Sequence, residues 1–164
     1  QHLEDYPDSM LYRFDNVITL RTFSKCYGLA GFRIGYGFAH KNLISNLLKV
    51  KLPFEPSIPA QVAALGALDD NKHFKQTINL NLIGKNYLFD ELKKFNLKII
   101  PSVANFITII FDKEDIAKEF LSDMLKNGII LRGLKSFGLP NCVRVTIGTK
   151  DENKYFVKIL NKII

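Results

Sequence analysis

Four of the chain's ten glycines, Gly28, Gly31, Gly35 and Gly37, fall within ten residues, shortly after an apolar, β-prone run, Val17-Ile18-Thr19-Leu20. Glycine lets a chain turn sharply or bring its backbone close to a ligand. The spacing therefore predicts a strand over residues 16–23, a glycine-rich turn, and a second strand over 34–39. Both runs are apolar without strict alternation, which predicts a sheet covered on both faces. The turn also carries chemistry. Lys25 stands where a buried strand should end, with hydroxyls at Thr22 and Ser24 and a guanidinium at Arg33. Hydroxyls and guanidinium suit phosphate oxygens, and a desolvated lysine amine can condense with an aldehyde. Taken singly, the lysine reads as a solvated charge, Arg33 as half of a surface ion pair, and the glycines as turn markers. Only their combination points to a site.

The rest of the chain divides by texture. Residues 41–50 have helical spacing through Leu43, Leu47 and Val50, and Pro53 and Pro56 then impose an extended crossing. Ser57 can cap a helix whose first turn accommodates Pro59. A longer helical pattern occupies 71–95. Beyond Pro101 the spacing predicts a strand at Asn105–Phe111 and a helix over 113–127, capped by Asp112 and stopped by Gly128. Short strands follow at Ile129–Leu131 and Val143–Ile147. Thr149 and Glu152 form a capping box that opens a last helix with an apolar face of Tyr155, Phe156, Ile159, Leu160 and Ile163. From residue 98 the order strand, strand, helix, strand, strand, helix is a small α+β unit, distinct from the α/β texture before residue 70.

Composition narrows the functional classes. At 164 residues, 47% hydrophobic and 24% charged, the chain can bury one good core and is not a disordered tail. No apolar run approaches the roughly 20 residues that cross a bilayer. Cys26 and Cys142 are too few and too far apart for a disulfide framework or a metal site, and the three histidines are isolated, so no metal is expected. The net charge of +7 is spread along the chain and interrupted by acids, without a nucleic-acid-binding motif. A soluble protein of the cytoplasm is expected, binding neither nucleic acid nor membrane. The start at Gln1-His2-Leu3-Glu4-Asp5 reads as the interior of a longer chain.

A second constellation lies near the carboxyl end. Arg132 closes Gly128-Ile129-Ile130-Leu131-Arg132, and Arg144 sits inside Cys142-Val143-Arg144-Val145-Thr146-Ile147. An arginine within an apolar strand either points outward from an edge or meets an anion. For Arg132 the two readings balance, and for Arg144, flanked by valines, the anion is favoured.

These segments resemble a family. Arg21-Thr22-Phe23-Ser24-Lys25, Gly28-Leu29-Ala30-Gly31 and Arg33-Ile34-Gly35-Tyr36 are similar to the lysine motif of fold-type-I aminotransferases that use pyridoxal phosphate, and to the histidinol-phosphate aminotransferases among them. Gly128–Arg132, Val143–Thr149 and Ala104-Asn105-Phe106 resemble that family's small domain. The resemblance implies an α/β fold. Residues 1–70 would be the carboxy-terminal part of the large, cofactor-binding domain, 71–97 a linking long helix, and 98–164 a small α+β domain. It implies that Lys25 holds the cofactor aldehyde, with Thr22, Ser24 and Arg33 at its phosphate, and that Arg132 and Arg144 meet the substrate anion. The implied reaction is transamination between L-histidinol phosphate and 2-oxoglutarate in histidine biosynthesis, by a homodimer when full length. The family's aspartate partner for the pyridine nitrogen is not in the chain, so little activity is expected from it alone. Other readings are an aromatic or broad-range aminotransferase, a threonine-phosphate decarboxylase, or a non-enzymatic binding or dimerisation module with Lys25 as a solvated charge.

Overall fold

The computed structural model describes residues 7–12 and 14–164. The Gln1–Asp5 start and His2 lie outside them. The chain forms two compact units, Gln1–Ile78 and Asn79–Ile164.

In the first unit, β1 (Ile18–Thr22) pairs antiparallel with β2 (Gly35–Ala39), in register from Ile18 opposite Ala39 to Thr22 opposite Gly35. A side chain at position 35 would place its Cβ 2.6 Å from the Arg21 carbonyl oxygen, so the pairing requires glycine there. Both strands lie inside the predicted segments, but the expected coverage of both faces is not found. Of β1 only Thr19 is buried, while Leu20 is 68% and Phe38 47% exposed. The physical reason is that a sheet of two strands is too narrow for helices to cover both faces, and most of its residues stay exposed or half-buried.

The following helices begin where their caps stand. The His40 ring accepts the Asn42 N–H at the start of α1 (Lys41–Val50). Ser57 Oγ accepts the Ala60 N–H to open α2 (Ile58–Asp69), with Pro59 in its first turn. Asp70 Oδ1 accepts the His73 N–H at 2.9 Å in the first turn of α3 (Asn71–Lys94). This helix runs for 24 residues, and the division between the units falls within it.

The second unit is an antiparallel sheet in the order β3-β4-β6-β5, with β3 at Lys98–Ile100, β4 at Phe106–Ile110, β5 at Arg132–Gly133 and β6 at Cys142–Thr146. Alternation along the two central strands sends Ile107, Ile109, Val143 and Val145 to one face. There they meet Leu88 and Leu92 of α3, Phe120 and Met124 of α4 (Glu114–Lys126), and Phe156 and Leu160 of α5 (Lys150–Ile163). A Cβ on Gly84 would come within 2.7 Å of Asn153 Nδ2 and Ile147 Cγ2, so the missing side chain is what lets α3 approach this closely. Asn153 itself is buried and satisfied, accepting from the Gly148 N–H and donating to the Gly148 carbonyl.

Three local expectations are corrected. Asp112 does not cap α4: the cap position is Lys113, without a side-chain bond, and the Asp112 carboxylate accepts from Lys98 Nζ at 3.2 Å instead. The helix does stop at Gly128, whose φ of +79° allows Gly128 N–H to reach Leu125 O and Ile129 N–H to reach Met124 O, both at 2.9 Å. That exit consumes the residues after it, so the short strand is not at Ile129–Leu131 but begins at Arg132. On α5 the capping box of Thr149 and Glu152 forms, yet Tyr155 is 46% exposed because its hydroxyl reaches out to donate to the Asn127 carbonyl. Val157 joins Phe156, Ile159 and Leu160 on the buried face.

Candidate active site

The glycine-rich turn is a closed loop built on the β1–β2 pair. Beyond Thr22 and Gly35 the ladder continues by one bond, from the Phe23 N–H to the Ile34 carbonyl at 3.3 Å. Ser24 and Arg33 are therefore the next residues out on the two sides of the loop root. Phe23 is 4% exposed and anchors the loop. Its carbonyl accepts the Leu29 N–H at 3.0 Å, and a tight turn, Gly28 N–H to Lys25 O at 2.9 Å, closes the four residues between Ser24 and Leu29. Gly28 sits at φ +72°, where a side chain would be strained.

Around this anchor the donors are held by their own backbone. Thr22 Oγ1 accepts the Ser24 N–H at 3.0 Å, which leaves the threonine hydroxyl proton to donate outward. Arg33 adopts a left-handed conformation, φ 50° and ψ 49°, and one of its terminal N–H groups donates to the Ala30 carbonyl at 2.9 Å. The other guanidinium donors keep their capacity for an oxyanion. Lys25 is exposed, as are Thr22 and Arg33, and Ser24 is half-buried. The expected end of a buried strand and a desolvated amine are thus not what the first unit shows: β1 is mostly exposed and ends three residues before the lysine. Cys26, beside it, is half-buried, and burial pushes its thiol up, which keeps the thiol protonated and a poor nucleophile at neutral pH. A cleft of about 540 Å³ opens elsewhere in the first unit, lined by Met10, Tyr12, Phe38 and His40 among others, and none of the candidate residues lines it.

In the second unit, Arg132 and Arg144 are direct cross-strand partners between β5 and β6. Paired residues share one face of the sheet, the one opposite the core. Like charges so placed repel, and each guanidinium leans over an aromatic ring: Arg144 lies 5.2 Å from the Phe106 centroid and Arg132 5.8 Å from that of Phe137. Arg144 Nε is buried and has no hydrogen-bond partner among the described residues. Two cations held together with donors to spare are a ready receptor for an oxyanion. Asn105 contributes backbone, its carbonyl accepting the Ile147 N–H at 3.0 Å.

Sequence reading missed Tyr27, inside the lysine turn, and His73 and Phe74, which stand against it. Tyr27 packs on Phe23 and on Phe74 of α3. No sequence signal links residues that far apart.

A family model described as aminotransferase class I and II matches residues 2–160. The chain belongs to this family. The histidinol-phosphate aminotransferase of Campylobacter jejuni serotype O:6 is 44% identical over 164 residues, covering all of this chain and 44% of the relative. Among solved aminotransferase structures, the histidinol-phosphate aminotransferase of Sinorhizobium meliloti, in complex with pyridoxal-5'-phosphate, superposes with a TM-score of 0.80 at 26% identity. It covers 92% of this chain and 42% of that one. The L-threonine-O-3-phosphate decarboxylase of Porphyromonas gingivalis gives 0.76 at 26%, over 90% of this chain and 46% of its own. This aminotransferase chain spans less than half the length of these relatives.

Proposed function

We propose that this chain carries the lysine, the cofactor-phosphate donors and the substrate-anion arginines of a pyridoxal-phosphate-dependent histidinol-phosphate aminotransferase. The observation that carries the reading is the loop root, where one backbone ladder sets Ser24 and Arg33 on either side of Lys25's turn. The donor set fits the group: two hydroxyls and a guanidinium suit a phosphate, and the primary amine of Lys25 can condense with an aldehyde. When bound, pyridoxal phosphate supplies an electron sink for the bonds at the substrate's α-carbon.

Lys25 would hold the aldehyde end of the cofactor, and its free amine would carry a proton from the substrate α-carbon as general base and then acid. Thr22, Ser24 and Arg33 would hold the phosphate, with Arg33 offering the planar fork that suits an oxyanion. Arg132 and Arg144 hold the substrate's anionic end: the phosphate of L-histidinol phosphate in one half-reaction and the carboxylates of glutamate or 2-oxoglutarate in the other. The setting is histidine biosynthesis in the cytoplasm, by a homodimer of the full-length protein, without nucleic-acid or membrane partners. Among the described residues no helix is long and apolar enough to cross a membrane. The threonine-phosphate decarboxylase reading shares the phosphate and stays second, because the relatives at 44% identity carry the aminotransferase name. The chain alone, at 44% of their length, should turn over little.

The test is reduction with borohydride after incubation with pyridoxal phosphate, followed by peptide mass spectrometry. A stable adduct is expected at Lys25 and not in Lys25→Ala. Retained histidinol-phosphate binding in an Arg144→Ala variant of the intact enzyme, with cofactor still loaded, would return that arginine to a structural role. Arg144→Lys, which keeps charge but loses the fork, should lie between.

A further inference from the structure

We infer that Phe74, in the first turn of α3, and Tyr27, in the lysine turn itself, are positioning residues for Lys25. The inference rests on the reading of Lys25 as the cofactor-holding residue. Phe23, buried between Thr22 and Ser24, touches Tyr36 of β2 at 5.3 Å between ring centroids and Tyr27 at 5.0 Å. Tyr27 in turn meets Phe74 at 5.4 Å with the rings 33° apart. The four rings join the hairpin to α3 through the turn that carries Lys25.

A second contact lies alongside. A Cβ built on Gly28 would stand 3.9 Å from His73 Nε2, so α3 passes at van der Waals distance from the end of the same turn. The first turn of α3 is itself fixed, with Asp70 Oδ1 accepting the His73 N–H at 2.9 Å and Thr77 Oγ1 at 3.4 Å from the His73 ring.

Such a brace matters because, among the described residues, nothing anchors the lysine side chain. It is exposed, on a turn of four residues, and ordering a long flexible amine costs conformational entropy. The turn's direction decides whether that amine and the Thr22 and Ser24 hydroxyls meet one ligand together. Inside the turn the backbone bonds fix its shape, and the Tyr27–Phe74 contact fixes how it sits on the unit. Tyr27 serves through its ring, which predicts that phenylalanine is an adequate replacement and leucine is not.

The experiment uses the 164-residue chain and four variants, Tyr27→Leu, Tyr27→Phe, Phe74→Leu and Phe74→Met, checked as folded by circular dichroism. Phe74→Met replaces the ring with a flexible apolar chain that adapts to the gap, and stands in if Phe74→Leu does not fold. Each is incubated with pyridoxal phosphate, reduced with borohydride, and read as adduct at Lys25 relative to adducts at Lys41 and Lys49, exposed lysines of α1. The pH midpoint of the lysine-bound cofactor's absorbance is recorded as well. An aromatic pair is worth about 0.5–1.5 kcal/mol, so the Lys25 ratio should fall roughly two- to tenfold in Tyr27→Leu and Phe74→Met, with a shifted midpoint. Tyr27→Phe should match the parent. An unchanged ratio and midpoint in Tyr27→Leu and Phe74→Met, with only the melting temperature lowered, overturns the positioning role. A parent chain without preference for Lys25 sinks the cofactor reading instead. In that event hydrogen exchange at the Gly28 and Leu29 amides decides: protection lost in Phe74→Met supports the brace, and protection retained removes it.

Discussion

Arg33 holds a left-handed conformation at φ 50°, which in most residues other than glycine costs about 1–2 kcal/mol. A long cationic residue kept in that region is the kind of local strain that collects where a side chain is needed. The strain and the guanidinium can be separated. Arg33→Gly is expected to keep or raise the melting temperature, because glycine adopts the backbone freely, while affinity for pyridoxal phosphate falls about tenfold or more. Pyridoxal without the phosphate should bind both proteins alike. Equal affinity of Arg33→Gly and parent for the phosphorylated cofactor would remove Arg33 from the phosphate site. The arginines opposite one another in β5 and β6 pose the same question: an arrangement unfavourable by itself would be relieved by the anion proposed for both.

At the scale of elements, the helix ends show which local signals suffice. Thr149 donates to Glu152 Oε2 from its backbone N–H at 2.7 Å and from its hydroxyl at 2.8 Å, and the backbone bond foremost holds the Glu152 carboxyl below the usual carboxylate range. A group depressed on folding stabilises the folded state above its unfolded pKa, near 4.3 for glutamate, and loses that contribution as pH falls through the lower folded value. Glu152→Gln keeps the box's geometry but not the charge. The expected result is that the parent's advantage over the variant in urea midpoint, present at pH 7, shrinks toward pH 3. An advantage independent of pH would mean that the charge contributes nothing. By contrast, Asp112, between β4 and α4, pairs with Lys98 of β3, an exposed contact that no local rule anticipates.

Taken as a whole molecule, stability is unevenly distributed. The buried cluster of Leu88, Leu92, Ile107, Ile109, Met124, Val143 and Leu160 lies wholly in the second unit, whereas the first unit buries chiefly Thr19, Phe23, Ala60 and Ala64. Opening free energies follow buried apolar area, so native-state hydrogen exchange should be slowest in β4, β6 and α5. Amides of β1 and β2 should exchange at least about a hundredfold faster in the isolated chain, since each 1.4 kcal/mol of local stability is a factor of ten. Hairpin amides protected as strongly as those of β4 would show that the first unit has a core not visible in its burial.

What the sequence by itself determined is whatever depends on neighbours a few residues away. The strand–loop–strand of the glycine-rich segment, the Ser57 and Thr149 caps, the Gly128 stop and the order of elements after residue 98 all follow from dihedral preferences and short-range hydrogen bonds. The same short range made Lys25, Ser24 and Arg33 visible as a group. Tertiary structure alone decided that Arg132 faces Arg144, that Asp112 serves Lys98, and that Phe74 reaches the lysine turn. These depend on sheet register and helix placement, which sum many weak packing terms over the whole unit and leave no mark at any single position.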